Sequence, residues 1–445
     1  MRPVTEPASA PRPITDRRVL NIALPIALSN VTIPILGAVD TAVVGQMGTA
    51  APIGAVGIGA VVLSAIYWVF GFLRMGTTGL AAQAQGEGNR AEVAAILTRV
   101  LMIGIAAGVV LILLQVPLLW AALSLSPASA EVETLARGYM EIRIWSAPAA
   151  IAILGITGWL IAQERTRAVL VLQLWMNGIN VLLNLWFVLG LGWGVNGVAL
   201  ATFLAEWSGL AMGLYLCRAA FHVPDWRNWS RVFDRVRLLR MARVNSDILI
   251  RSLLLEAVFL SFMFLGADFG DVTLAANQVL LQFLYITAYA LDGFAFSAEA
   301  LVGQAAGAGS RRTLRRAVVV VSRWALGTAV VLGLGFWALG PVIVDLMAKN
   351  SEVQQAARLY LGWMAVAPVL AVASFLLDGI FTGATRTADM RNMMALSALI
   401  YGGAALALVP VFGNHGLWIA LLVSFVARGA TLAARYPALE RAVAD

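Results

Sequence analysis

In the stretch GAVDTAVVGQ (37–46), Asp40 sits inside an apolar run that begins near Leu20, six residues after Pro34. A carboxylate in such surroundings is costly unless it faces a cavity or a partner, so its chemistry is the first question the chain raises. What an acid can do there is take up and release a proton. Proline lacks a backbone N–H and tends to kink a helix, and a kinked helix bearing an acid can respond to protonation. A second set of residues has the spacing of a binding face. Gln173, Asn177, Asn180 and Asn184 recur at i, i+4, i+7 and i+11, which is one side of a helix. In lipid such a stripe must face protein or water, either lining a cavity or bonding across helices. Glu206, in the next apolar run, is placed to join the same pocket. In the second half Asp292 and Glu299 lie at i and i+7, with Glu256 and Asp378 in neighbouring apolar runs. Oxygen-rich groups of this kind suit hard cations such as Na⁺, a proton relay or a cationic substrate. Asp247 and Arg251, at i and i+4, read as a plain ion pair, and Arg74, Glu141 and Arg143 are expected to pair likewise.

These residues must be held by elements built for lipid. Of the 445 residues, 60% are hydrophobic and 12% charged, with a mean hydropathy of +0.84. Soluble domains average roughly 45–50% apolar and about 25% charged, so this chain would not cover its apolar surface in water. A bilayer core needs about 20 apolar residues per helix. Runs of that kind fall at 18–46, 53–81, 94–122, 136–162, 168–191 and 195–217, then at 247–267, 273–304, 316–346, 355–382, 392–412 and 416–435. The expectation is an all-α membrane protein of twelve transmembrane helices. Residues 1–17 read as a polar, Pro-rich cytoplasmic tail rather than a signal peptide, and 436–445 as a second cytoplasmic tail.

Arginines alternate with the runs. They crowd the N-terminal tail, the stretch from Arg218 to Arg243, and the loops holding Arg90, Arg165, Arg311 and Arg386. The intervening loops are nearly bare, which places both termini in the cytoplasm. The net charge of +7 is therefore a topology signal, and no nucleic-acid partner is expected. One cysteine and two histidines leave little for a metal site or a disulfide framework. No P-loop, GxSxG or HExxH occurs, so no enzyme is expected; QGEGN (85–89) reads as a turn between helices.

A shift of 221 residues lays one half on the other. LAAQAQGEGNR (80–90) then falls on LVGQAAGAGSR (301–311), while Asp40 falls on Ser261. Two pseudo-symmetric six-helix lobes follow, an N-lobe over 18–217 and a C-lobe over 246–435, joined by a basic cytoplasmic linker at 218–245. This is the layout of an alternating-access carrier, with its path near the midplane and its coupling acid in one lobe.

The chain resembles the multidrug and toxic compound extrusion (MATE) transporters, in the branch named after the DNA-damage-inducible protein F (DinF). LPIALSNVTIPILGAVDTAVVGQMG (24–48), FLRMGTTGLAAQAQG (72–86) and EIRIWSAPA (141–149) carry the resemblance. So do SDILIRSLLL (246–255), YALDGFAFSAEALVGQA (289–305), LLDGIFTGATRTADMRN (376–392) and GNHGLW (413–418). The resemblance implies the MATE fold in a bacterial inner membrane and an antiporter exporting cationic or amphipathic organic compounds against H⁺ or Na⁺. It implies that protonation of Asp40 bends the first helix and that Asn180 and Asn184 belong to the substrate pocket. Where this chain has Asn184, many relatives of the branch carry a second acid, so a two-carboxylate relay is not expected here. Glu256 and Asp378 resemble acids of the Na⁺-coupled NorM branch. The expected reading is H⁺ coupling through Asp40, with Na⁺ coupling through Glu256, Asp292 and Asp378 as the alternative. A lipid-linked precursor flippase is a further alternative, though it would want a more basic cavity. No cofactor beyond the coupling ion is expected, and nothing requires an oligomer.

Overall fold

The computed structural model describes residues 13–47, 50–124 and 129–443. Among these, twelve helices are long and apolar enough to cross a membrane. We label them α1 (Asp16–Gly45), α2 (Ala51–Gly86), α3 (Arg90–Leu113), α4 (Ala130–Ala162), α5 (Thr166–Gly190) and α6 (Gly194–Leu216). The second half supplies α7 (Arg235–Ala267), α8 (Asp271–Gly307), α9 (Arg311–Met347), α10 (Ser351–Gly383), α11 (Thr387–Phe412) and α12 (Asn414–Arg441). Many of the large apolar side chains they carry remain exposed, among them Leu113, Trp337, Leu346, Leu399 and Leu406. Helices apolar on their outer faces are stable in lipid and a liability in water.

Most of the helices are longer than the apolar runs that announce them; the exceptions are α6, equal to its run, and α3, which stops at Leu113 while a short separate helix, Gln115–Ser124, takes up the rest of its run. Only residues 13–15 of the expected N-terminal tail lie outside helix among those described, because α1 starts at Asp16; residues 1–12 fall outside the description. α12 runs on to Arg441, so most of the expected C-terminal tail is helical. α7 begins at Arg235, so residues 235–245 of the expected linker are already helical. Polar and arginine-rich turns extend a helix readily once its apolar body has nucleated it, since arginine is a good helix former.

The chain forms two compact units whose boundaries differ from the lobe boundaries read from the sequence. One comprises the described parts of Met1–Ala27, Ala82–Gly88 and Arg240–Asp445; the other comprises Leu28–Ala81 and Asn89–Leu239. In the first, Phe262 meets Trp418 edge-on at 4.7 Å and Phe283 meets Phe336 at 5.0 Å. Within that core Asn277 and Asn414 exchange amide hydrogen bonds, and the Trp418 indole donates to Asn277. The core of the second unit gathers Val44, Leu63, Tyr139, Met140 and Val198.

Short segments of the first half join the first unit through contacts that the repeat makes twice. A Cβ on Gly86 would lie 2.0 Å from the Gln304 carbonyl oxygen, and one on Gly307 would lie 2.0 Å from that of Gln83. A Cβ on Gly303 would meet that of Ala82, its own counterpart under the 221-residue shift. Only glycine lets the backbones come so close. Arg18 donates to the Gln304 side-chain oxygen at 3.1 Å and Arg240 to that of Gln83 at 2.5 Å. The turns that follow also match: Gly88 and Gly309 take positive φ, and Asn89 and Ser310 then cap α3 and α9.

Candidate binding and coupling site

α5 presents its stripe as a connected ladder within the second unit. The Gln173 amide donates to Asn177 at 3.0 Å, and Asn177 donates to the Thr32 carbonyl of α1 at 3.4 Å. Asn184 gives one N–H to Asp40 at 2.6 Å and donates to Asn180 at 2.9 Å. Asn180 in turn donates to the Thr202 hydroxyl of α6 at 2.8 Å, and that hydroxyl donates to the Val198 carbonyl. Asn180 and Asn184 are buried. α5 therefore holds α1 at two points, one before Pro34 and one after it. Every bond in the Asn184–Asn180–Thr202 arm leaves Asp40 as an acceptor, the role of an ionised carboxylate. The Asn184 side-chain amide oxygen is buried with no hydrogen-bond partner.

Just past Asn184 the helix widens into a π-turn over Leu185–Gly190, with Leu191 N–H donating to the Trp186 carbonyl at 2.9 Å. Such turns recur at functional sites, and no residue type in LWFVLG marks this one.

Glu206 reaches this site through a residue for which the sequence offered no firm role. Arg143 on α4 donates to Glu206 at 3.0 Å and to the Tyr139 hydroxyl at 3.0 Å. Glu206 on α6, not a residue on its own helix, is thus an ion-pair partner of Arg143. Arg143 and Tyr139 also interact electrostatically with Asp40. The site thus joins Asp40, Asn180, Asn184, Thr202, Tyr139, Arg143 and Glu206.

In the other unit the acids have different fates. Asp378 is buried and forms an ion pair with Arg251, while the fully buried Arg428 lies 3.8 Å away. Arg428 also donates to Ser374 and packs its guanidinium over Phe375 and Phe425. The intrahelical Asp247–Arg251 pair does not form: Asp247 accepts from Arg391 at 2.6 Å and from Thr387 at 3.0 Å. Partners on α10 and α11 reach deeper than a neighbour one turn away. Glu299 is buried, Asp292 interacts with Tyr289, and Glu256 is exposed on α7 near Tyr285. Among the described residues no three His, Cys, Asp or Glu gather where they could hold a metal ion, so Glu256, Asp292 and Asp378 do not form one cluster. Sequence reasoning passed over Arg428, although an arginine within VSFVARGATL carries the same signal as Asp40.

The linker is ordered by α3. The buried Arg99 donates to the carbonyls of Val232 and Arg231 and to Glu92, and Thr98 donates to the Trp226 carbonyl.

Twelve apolar helices in two related halves, each holding buried charged side chains, define a multi-pass membrane protein. A family model for MatE matches the chain twice, over residues 25–186 and 248–411, at an offset close to that of the internal repeat. The chain belongs to the MatE family, the multidrug and toxic compound extrusion transporters. It is 39% identical to the DNA damage-inducible protein F of Escherichia coli K12 over 94% of this chain and 92% of that one. It is 27% identical to a probable multidrug resistance protein NorM of Synechococcus, over 91% and 89% of the two chains. A solved structure of the Vibrio cholerae MATE transporter VcmN in its bent form superposes with a TM-score of 0.84 at 20% identity, covering 96% and 97%. A MOP superfamily transporter from Pyrococcus furiosus superposes with the same TM-score at 16% identity, covering 96% of each chain. These superpositions fix the fold. The chain is a transporter of the DinF-like branch and not an enzyme.

Proposed function

We propose that this transporter is an antiporter that exports organic cations and amphipathic compounds against H⁺, with Asp40 as the proton-carrying group. The observation that carries the reading is the bond from Asn184 to Asp40, which ties an acid at bilayer depth to a ladder lining α5. Ionised, Asp40 accepts from Asn184 and offers a charge to a cationic substrate. Protonated, it loses that charge and gains a donor that the free Asn184 oxygen can accept. The anchor beyond Pro34 then rearranges, while the Asn177–Thr32 anchor before it does not depend on the proton. α1 can therefore bend at Pro34, and alternating access follows from that bend.

Na⁺ coupling would have to use Glu256, Asp292 and Asp378, and Asp378 is already met by two guanidinium groups. A lipid-linked precursor flippase would want a basic cavity, whereas Asp40 and Glu206 outnumber Arg143 here. The arginine distribution favours a bacterial inner membrane with both termini cytoplasmic. We propose a monomer whose partners are small organic substrates and membrane lipids, with no nucleic acid and no cofactor beyond the coupling ion.

The test is transport in proteoliposomes with one ion gradient imposed at a time. A pH gradient should drive export of tetraphenylphosphonium and a Na⁺ gradient should not, and Asp40→Asn should abolish the pH-driven component. Full gradient-driven export by that variant would sink the proposal.

A further inference from the structure

We infer that the Arg143–Glu206 pair sets the charge of the Asp40 pocket to a single unit, so that the site selects monocations over dications. This rests on the export function proposed above.

The ionisable groups that interact with Asp40 or Arg143 come from each packed element in turn. They are Tyr67 on α2, Tyr139 and Arg143 on α4, and Glu206 on α6; α5 supplies only amides. Tyr67 donates its hydroxyl to the Arg143 carbonyl at 3.2 Å, and the Tyr139 ring lies 5.8 Å from the guanidinium carbon. The Arg143 and Glu206 side chains are only 11% and 13% exposed, so water does little to mute their charges. With Asp40 ionised, two carboxylates face one guanidinium and the pocket carries one net negative charge. One proton on Asp40, or one bound monocation, brings it to zero. A dication leaves an uncompensated positive charge at bilayer depth, which is costly.

Arg143 also leaves its Nε without a partner, and Glu206 leaves Oε2 without one, both buried. The pair is thus incompletely satisfied within the protein, and a polar group on the substrate can complete it. Arg143 acts here as a specificity-determining residue. It holds Glu206 as its own counter-ion and so keeps that carboxylate out of the exchange between substrate and proton.

The test compares two permanently charged probes, tetraphenylphosphonium with one charge and methyl viologen with two. Binding to detergent-solubilised protein and pH-driven transport in proteoliposomes are measured for each. The native protein should prefer tetraphenylphosphonium. Arg143→Met leaves two carboxylates unopposed and should move the preference at least tenfold toward methyl viologen. Glu206→Gln gives a net-neutral pocket and should lower tetraphenylphosphonium binding about tenfold. The double variant, Arg143→Met with Glu206→Gln, restores one net negative charge and should recover the native preference, which a purely structural role of the pair would not produce. An unchanged ratio in Arg143→Met, or a double variant that fails to recover it, overturns the inference. Should Arg143→Met not fold, Glu206→Gln and the double variant decide on the same criteria. Binding needs no gradient, so a failure of proton coupling would show in transport alone.

Discussion

Replacing Asn184 by alanine removes two donors at once, one to the Asp40 carboxylate at 2.6 Å and one to Asn180 at 2.9 Å. A hydrogen bond to a charged group contributes about 1.5–3 kcal/mol and a neutral one about 0.5–1.5 kcal/mol. The charged bond is the one that ties α1 to α5 beyond Pro34, and its loss should slow coupled export on the order of 10- to 100-fold, at about 1.4 kcal/mol per decade. The assay is the initial rate of pH-driven tetraphenylphosphonium export in proteoliposomes for the native protein and Asn184→Ala, with tetraphenylphosphonium binding to solubilised protein measured for these two, Asp40→Asn and the double variant. If Asn184 acts through Asp40, its removal in the Asp40→Asn background should cost little more, leaving a coupling energy of about 1.5–3 kcal/mol between the two sites. A full rate in Asn184→Ala, or losses that simply add, would refute the reasoning.

Cys217, capping α6 and fully buried, has its thiol pushed up from 9.0 to about 12 by desolvation, partly opposed by Arg165. At pH 8 it should resist maleimide labelling until the protein unfolds. Its contribution to stability is complete below about pH 9 and fades as pH climbs towards 12, because only the unfolded chain ionises it freely. Gly86→Ala and Gly307→Ala should each lower the melting temperature by several degrees, since both Cβ atoms would meet a backbone oxygen, whereas Gly45→Ala meets nothing within 4 Å. Cysteine-reactive dye melting through Cys217 reads all three. Asp378→Asn should lower folded yield more than Arg428→Met, because it strands two buried guanidinium groups, while Arg428→Met leaves the Arg251–Asp378 pair intact. Size-exclusion profiles of the two variants decide the order. Glu92→Gln should expose the linker to trypsin at Arg231, since Glu92 pairs with Arg99, Arg231 and Arg237.

What the sequence made readable followed from lipid as solvent. Apolar runs of span length announced the twelve helices, and the 3.6-residue period placed Gln173, Asn177, Asn180 and Asn184 on one face before any partner was known. Partners across helices were not readable, because sequence spacing constrains only neighbours on the same helix. Spacing thus offers Arg251 to Asp247 although Arg391 holds it, and offers Arg143 no sign of Glu206. The π-turn after Asn184 has no composition that marks it. Most helix ends lie beyond the apolar runs, since polar residues continue a helix as readily as they end one, while α3 breaks at Leu114 inside an unbroken apolar run.

The crossing of Gln83 and Gly86 with Gln304 and Gly307 has the form of an isologous interface: where one residue touches another, their counterparts touch in return, and Ala82 meets its own twin Gly303. A symmetric dimer makes such contacts between two copies of one chain, and here a single chain makes them with itself. The repeat therefore serves as a record of constraint that needs no other sequence. The glutamines and glycines that touch across the pseudo-axis are identical in both copies, because a change in either would have to fit its partner's backbone. Asp40 and Ser261 are counterparts away from that crossing, and there the two copies have parted chemically. Tandem duplication, on this reading, fixed the seam and freed the pockets.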